Sequence, residues 1–378
     1  MLLTILSKGN IDVKTNSNLL TDFANVLSMT GNNIVSADVP AAMRSLAKSI
    51  KEPQVFKQMT PEEALQWLEN NTEESGQLYK EFIKNFGFRG YKEWDIMSIT
   101  WSGNKQMLVT TLQMMVPLKE NSNQVILTKD ELISRIKTPI TRNQKYLLKN
   151  WILPACQRSV ADREESKLFD IKCVDKFRQL LNKMGEMMSY REGRLPEPDL
   201  VFFLTLHELN VLTQTRDPKI VMKAKQRKKI YPKLDKYIYD EMSIGPNIKP
   251  RNFVDKKLEA EKYLNGENDI LKGTPVCTGS IKAKACVCKC FEDAKNLESG
   301  DILITYSTDI GWSPYLPMIG GIITEIGGLV SHGAVIAREY GIPCLVGVEN
   351  ACHSITNGQT ILLDADNGCV VLMTAQDN

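Results

Sequence analysis

The chain has 378 residues, of which 43% are hydrophobic and 24% are charged, and its formal net charge is +2. This length and composition are typical of a soluble protein with two or three domains, each able to bury a core. The small net charge argues against nucleic acid or a membrane as a default partner, and nine cysteines without a paired framework favour a reducing compartment. The apolar segment at Met1–Lys8 is too short for a signal peptide, and no run approaches the roughly 18 apolar residues of a spanning helix. A cytoplasmic protein is therefore expected.

The first part of the chain, residues 1–242, is predicted to be an all-helical domain. Patterns that start helices occur at Thr60-Pro61-Glu62-Glu63, at Thr128 to Glu131, and at Asp217-Pro218. The helix that follows the first of these patterns is expected to end at Gly87. Apolar residues recur at steps of three and four between Leu168 and Met188, which predicts helix-on-helix packing.

The composition changes after residue 242. Residues 243–272 contain Gly245, Pro246 and Pro250 and a charged stretch, and are interpreted as a linker. From residue 273 to 378, short apolar runs predict the strands of a small α/β domain, with one helix from Ser331 to about Tyr340. The predicted strands include Ile302–Ile304, Gly321–Thr324, Cys344–Gly347, Ile361–Leu363 and Val370–Leu372.

The segment Thr324–Ala334 has the pattern of a strand that turns sharply into a helix. Gly327 and Gly328 allow the turn, and Ser331 stands where a helix N-cap is expected, so His332 falls in the first helical turn. The free N–H groups and the helix dipole at such a position favour an anion and disfavour imidazolium. A histidine that attacks as a neutral nucleophile and then carries a phosphoryl dianion benefits from both effects.

The neighbours of His332 fit the same chemistry. Gly333 is small enough to leave space for a phosphate beside the ring, and Ser331 has a hydroxyl that can donate to it. Arg338 lies too far around the helix to be assigned to the phosphate. The alternative from the pattern alone is that His332 merely caps a helix in a glycine-rich turn.

The seventeen residues Gly327–Pro343 closely resemble the phosphohistidine signature of the phosphoenolpyruvate (PEP)-utilising enzymes. That family includes PEP synthase, pyruvate phosphate dikinase and rifampin phosphotransferase, and the residues in this segment are most similar to those of the rifampin phosphotransferase branch. Gly300–Leu303 and Thr308–Pro314 also match, and the resemblance spans about 273 to 376. It departs from the family pattern at Ala283 and Ile310, where the family often has Gly and Pro.

This resemblance implies a swivelling β/β/α phosphohistidine domain over 273–378, with His332 as the phosphorylated residue. Gly328, Ser331 and Gly333 are then expected to support the phosphate.

A weaker resemblance lies in the helical region. Phe86–Ile96 looks like a segment in the helical substrate domain of rifampin phosphotransferase-like proteins, which implies that residues 1–242 bind the phosphoryl acceptor. Arg89, Glu93 and Asp95 are the candidates for acceptor contacts, and a structural ion network is the alternative interpretation.

Other features have simpler interpretations. His207 is either a core or pocket-edge histidine or a second candidate for acid–base work. Cys286, Cys288 and Cys290 alternate and are expected on one strand face; no further ligands stand at metal-binding spacing, so no metal site is predicted. The basic run from Lys223 through Lys225, Arg227 and Lys228 to Lys229 is interpreted as a solvated helix face rather than a nucleic-acid site.

The resemblance implies a histidine-dependent phosphotransferase. It is expected to move the β-phosphoryl group of ATP to His332 and then to an acceptor, such as pyruvate or a rifampin-like small molecule, leaving AMP and phosphate. ATP and magnesium are expected for the complete enzyme, on an ATP-grasp domain supplied in cis or in trans, because this chain has neither the length nor the glycine-rich loop for one. The alternative is a non-catalytic scaffold or pseudoenzyme that keeps the carrier fold without an ATP-binding domain.

Overall fold

The computed structural model describes residues 22, 35–116, 133–134, 136, 138, 140–234, 237, 239, 244–245, 248, 250, 270–329 and 331–373. The described residues within 1–93, 99–168 and 259–378 form one compact unit, and those within 94–98 and 169–258 form a second. The predicted class, a helical region followed by an α/β region, is confirmed at this level. The domain boundaries stay predictions, and the capping pattern at Thr128 and most of the 243–272 linker lie outside the described residues.

The helices precede the main sheet in the chain, and two short helices lie within it. Their bounds are α1 Val35–Lys48, α2 Pro53–Gln58, α3 Pro61–Asn70, α4 Glu74–Phe86, α5 Lys105–Met115, α6 Arg142–Leu147, α7 Leu153–Glu186, α8 Leu206–Gln214, α9 Pro218–Leu234, α10 His332–Tyr340 and α11 Ala351–Ser354. Among the described residues, no helix is long and apolar enough to cross a membrane.

The capping pattern at Thr60 is confirmed in full. The Thr60 side chain accepts the Glu63 N–H, and the Glu63 carboxylate accepts the Thr60 N–H at 2.9 Å. One helix up to Gly87 was expected, but α3 and α4 are separate. The chain is extended at Asn71, whose side-chain oxygen accepts the N–H of Glu73 at 2.7 Å and so competes with helical hydrogen bonding. The helix end at Gly87 is confirmed.

The second unit is helical around a core of its own. Leu200, Leu212 and Ala224 are fully buried in that core, and Met188 is nearly so. The predicted helix start at Asp217-Pro218 is confirmed by α9. The apolar repeat between residues 168 and 188 is helical as predicted, although Phe177 is 61% exposed and so is not a core residue.

The C-terminal part of the chain forms a mixed eight-stranded sheet in the order β1-β8-β7-β3-β4-β5-β6-β2. The strands are β1 Ile270–Lys272, β2 Thr274–Cys277, β3 Ser280–Cys288, β4 Ile302–Thr305, β5 Gly321–Thr324, β6 Cys344–Val346, β7 Thr360–Asp364 and β8 Cys369–Leu372. Strands β3 to β6 run parallel to one another, and the other pairs are antiparallel. The five strands predicted from apolar runs are confirmed.

The central strands are buried on both faces, which explains why they are apolar without interruption. Leu303 and Ile322 face a core that includes α10, while Ile302, Ile304 and Ile323 face a second core under α11. Strand β1 begins at Ile270, inside the segment interpreted as a linker, because its residues pair with β8.

The cysteine prediction on β3 is partly wrong. Cys286 and Cys288 are buried with their sulfur atoms 3.7 Å apart, but Cys290 is exposed and lies beyond the strand. The strand ends because the chain turns at Lys289, where the Asp293 carboxylate accepts the N–H groups of Lys289 and Cys290 at 3.0 and 3.1 Å.

Candidate active site

The site lies where two loops leave neighbouring parallel strands. Strands β4 and β5 pair in parallel register, so their carboxyl ends lie side by side. The loop after β4 carries Thr308, Asp309 and Ser313, and the loop after β5 leads into α10 at His332. The ends of parallel strands commonly form the binding crevice of such sheets.

His332 is buried, with 9% of its surface exposed. Its Nε2 is hydrogen-bonded to the Ser313 Oγ at 2.8 Å, and Ser313 is fully buried. The Nδ1 atom is buried and has no hydrogen-bond partner among the described residues. One nitrogen of the ring is therefore oriented by the β4 loop, and the ring lies within the protein rather than at the surface.

The glycine turn before His332 agrees with the sequence prediction in part. Gly327 has φ of +150°, a backbone conformation that favours glycine. A side chain at Gly328 would meet no neighbouring atom, so its part in phosphate binding stays a prediction. Ser331 occupies the N-cap position, but its side chain makes no capping hydrogen bond.

Gly333 packs closely against the β4 loop. A Cβ atom on Gly333 would lie 2.2 Å from the Thr308 Oγ1, so a larger residue there would force Thr308 to move. The absence of a side chain thus serves the packing of the β4 loop against α10, and the expected part of Gly333 in phosphate binding stays a prediction.

Three cations from the helical part of the same unit act electrostatically on His332. Burial lowers the pKa of His332 well below its usual value, and the positive charges of Lys167, Arg89 and Arg163 lower it further. His332 is therefore neutral at neutral pH. The pattern that distinguishes this site is a neutral imidazole at a helix N-terminus among cationic side chains.

Arg89 and Glu93 form a buried ion pair, as the network interpretation predicted. The Arg89 Nε and Nη2 donate to the two Glu93 carboxylate oxygens at 2.9 and 3.1 Å, and the Lys167 Nζ lies 3.4 Å from Glu93 Oε1. Arg89 is 2% exposed and Glu93 is 3% exposed. Glu93 thus fixes two of the three cations that act on His332.

Asp309, in the β4 loop, is hydrogen-bonded to the segment that carries Arg89 and Glu93. Its carboxylate accepts the Lys92 N–H at 2.7 Å and the Gly311 N–H at 2.9 Å. Burial raises the pKa of Asp309 to about 6, with a smaller contribution from Glu93, while Lys167 and the two N–H groups oppose the rise.

Two predicted candidates lie in the second unit. Asp95 accepts the Met97 N–H at 2.9 Å, and the Tyr231 hydroxyl donates to it at 3.3 Å. His207 is exposed near the start of α8, so the interpretation as a core histidine is wrong. Whether either residue serves the acceptor stays a prediction.

Sequence reasoning missed four residues of the site: Ser313, Asp309, Arg163 and Lys167. Arg163 and Lys167 stand in a segment that resembles the same helical substrate domain, and their spacing was a further signal, because positions four apart in a helix lie on one face. Ser313 and Asp309 were noticed only as parts of a matching segment. Their approach to His332 depends on the parallel pairing of β4 with β5, which local sequence does not reveal.

Known proteins are similar to this chain over most of its length. Residues 297–368 match the family model of the mobile domain of PEP-utilising enzymes, and residues 2–164 match that of the fourth domain of rifampicin phosphotransferase. The rifampicin phosphotransferase of Bacillus cereus is 29% identical over 93% of this chain and 41% of its own length. That of Streptomyces sviceus is 27% identical over the same shares. The prodigiosin synthesizing transferase of Serratia marcescens is 35% identical over 28% of this chain and 12% of its own length.

The chain thus spans about two fifths of the length of the first two relatives. The histidine turn lies inside the matched mobile domain, and the cationic helical segments at Arg89 and Arg163 lie inside the matched fourth domain. The chain therefore resembles the PEP-utilising enzymes in these two regions, and the rifampicin phosphotransferases over most of its length.

Proposed function

We propose that this chain is the carrier and acceptor portion of a histidine-dependent phosphotransferase. His332 takes a phosphoryl group and passes it to a small molecule held by the helical region. The observation that carries the proposal is a buried, neutral histidine at the N-terminus of α10, within reach of the charges of Lys167, Arg89 and Arg163.

The residues around His332 suit both halves of such a reaction. In the first half, a ring nitrogen attacks phosphorus, a P–N bond forms, and the P–O bond to the donor breaks. In the second half, the acceptor oxygen attacks, the P–N bond breaks, and the proton of the acceptor hydroxyl is released. The transferred group is anionic throughout, so cations placed around it stabilise the transition state.

The same cations serve the resting state. They hold the pKa of His332 down, and so keep a lone pair available on the ring. Ser313 is hydrogen-bonded to Nε2 and so orients the ring.

The donor is proposed from the relatives and not from residues of this chain. ATP with magnesium, on an ATP-grasp partner domain in cis or in trans, is the expected source. The described residues hold no group of three or more His, Cys, Asp or Glu placed to bind a metal ion, and the Glu93 carboxylate is already bound to Arg89 and Lys167. These residues do not fit a magnesium site, so no step here depends on one.

The carrier is proposed to swivel between donor and acceptor sites about the segment before Ile270. This proposal is supported by the match to the mobile-domain family model. It is also supported by the pairing of β1 with β8, which makes the chain part of the carrier sheet from Ile270 onward. The acceptor is proposed to be a small molecule; rifampicin is the substrate named for the relatives only.

Chemical labelling tests the carrier role without a donor domain. Phosphoramidate, followed by mass spectrometry under alkaline conditions, should place one phosphoryl group on His332. The His332→Ala variant should lose the label, and the His207→Ala variant, which removes an exposed histidine in the other unit, should keep it. Equal labelling of His207 and His353, or unchanged labelling in folded His332→Ala, overturns the proposal.

A further inference from the structure

The turn that carries Arg89 and Glu93 contains a strained residue. Lys92 has φ of +52°, in the left-handed region that costs free energy for a residue with a side chain. Such a conformation persists only when its surroundings hold it in place. Here the Lys92 N–H is donated to Asp309 Oδ2 at 2.7 Å.

The Lys92 turn and the β4 loop, which carries Asp309, also pack closely against each other. A Cβ atom on Gly311 would lie 2.8 Å from the Tyr91 Cα, so glycine is required where the β4 loop meets the Lys92 turn. The Tyr91 ring stacks on Phe291 with centroids 4.7 Å apart. Asp309 also accepts the Gly311 N–H at 2.9 Å, so one carboxylate ties both backbones.

Each of the two segments places a group on His332. The Lys92 turn holds Glu93, which binds Arg89 and Lys167, and these two cations act on His332. The β4 loop holds Ser313, four residues after Asp309, on His332 Nε2. Asp309 therefore links the two segments that place groups on His332, the Lys92 turn and the β4 loop.

We propose that Asp309 is a positioning residue, which holds the strained Lys92 turn so that the cations bound to Glu93 face His332. This inference rests on the proposed phosphoryl transfer. It assigns Asp309 no contact with substrate, and it explains why a left-handed lysine lies between Arg89 and Glu93.

The positioning depends on pH. Glu93 and Lys167 are the charged groups that act on Asp309 from the helical side, with Arg89, Arg163 and His332 in the same cluster. The pKa of Asp309 lies at about 6, so the carboxylate predominates at pH 7 and the neutral acid at pH 5. A neutral acid has lost the charge that strengthens its two backbone hydrogen bonds. The hold on the Lys92 turn should therefore weaken as the pH falls through about 6.

The test compares phosphoramidate labelling of His332 in the full chain and its variants. Asp309→Ala should slow labelling at least about tenfold, because it removes both hydrogen bonds that the carboxylate accepts, and one charge-assisted hydrogen bond is worth about that factor. Lys92→Gly adopts the left-handed conformation without strain, so adding it to Asp309→Ala should recover at least part of the rate. Asp301→Asn is the matched control: it alters another half-buried aspartate that accepts a backbone N–H, just before β4, and should stay within about twofold of wild type.

A pH profile separates positioning from a general structural role. The ratio of wild-type to Asp309→Asn labelling rates should rise between pH 5 and pH 7, because the amide does not titrate. This variant keeps the measurement possible if Asp309→Ala fails to fold. The inference is overturned if the ratio of wild-type to Asp309→Asn labelling rates is constant with pH. It is also overturned if Lys92→Gly recovers none of the labelling rate in a folded Asp309→Ala protein. Absence of label on wild-type His332 overturns the proposed function instead.

Discussion

At His332, two requirements of a phosphoryl carrier are met by the same neighbours. Burial and the charges of Lys167, Arg89 and Arg163 disfavour the imidazolium ion, so the ring stays neutral. In the proposed reaction, the same charges would favour a phosphoryl dianion on the ring. The helix dipole contributes roughly 0.3–1 kcal/mol at exposed helix ends and up to about 2 kcal/mol at partly buried ones. The helix end was visible in the sequence, whereas burial and the three cations, which also hold the ring neutral, were not.

The lowered pKa of His332 predicts a pH effect on folding. The folded ring resists protonation, while the unfolded imidazole takes up a proton below about pH 6.5. Stability from this residue is therefore present at neutral pH and lost as the pH falls, by at most about 2 kcal/mol at pH 5. Urea unfolding of wild type and His332→Gln at pH 7 and pH 5 checks this. An equal loss of stability in both proteins would show that His332 titrates normally.

Ser313 should orient the imidazole ring of His332 for labelling. Ser313→Ala removes the hydroxyl 2.8 Å from His332 Nε2 and should slow phosphoramidate labelling about fivefold, the worth of roughly 1 kcal/mol. Ser354→Ala is the control, because it removes a hydroxyl from a serine that is also almost fully buried, at the end of α11. Rates are read alongside urea midpoints, and equal slowing in both variants at equal stability would contradict an orienting role.

At the scale of elements, the packing of the β4 loop against α10 makes a prediction about stability. Gly333→Ala places a methyl group 2.2 Å from the Thr308 Oγ1 and should destabilise the protein by roughly 1–3 kcal/mol, despite the better helix propensity of alanine. Thr308→Ala in the same chain should recover much of that loss, since it removes the clashing hydroxyl. Gly328→Ala meets no neighbour and should change stability by less than about 0.5 kcal/mol. Thermal unfolding of wild type, Gly333→Ala, the Gly333→Ala/Thr308→Ala double variant and Gly328→Ala tests this prediction. Equal losses of stability in Gly333→Ala and Gly328→Ala would contradict the close packing.

Which elements could be predicted depended on how they are buried. Strands β4, β5 and β6 are covered on both faces and appear in the sequence as uninterrupted apolar runs. Strand β3 alternates lysine and alanine at its exposed start, and β1 has only three residues, so neither showed a clear pattern. The break at Asn71 was missed because it depends on one side-chain hydrogen bond to the Glu73 N–H.

The candidate site was predictable only where its residues are contiguous. The glycine turn, Ser331 and His332 lie within one segment with a strong family signature, and they were identified together. Lys167 is far from His332 in sequence, and its charge acts there only because the two elements pack in one unit. The division between units also separates Asp95 from the Arg89–Glu93 pair, with which it had been grouped.

At the scale of the whole molecule, the proposed reaction needs a donor that approaches His332 in line. Uncatalysed transfer is slow, and oriented binding can supply roughly 7–11 kcal/mol of the barrier reduction. The sequence has no glycine-rich ATP-binding loop, so ATP labelled at the β position should not label this 378-residue chain by itself. Addition of an ATP-grasp domain from a rifampicin phosphotransferase, fused or in trans, should place the label on His332, and the same mixture with His332→Ala is the control. Label without the added domain would reveal a nucleotide site in this chain. No label with the domain, on protein that phosphoramidate does label, would show that His332 is reactive but is not served by this class of donor.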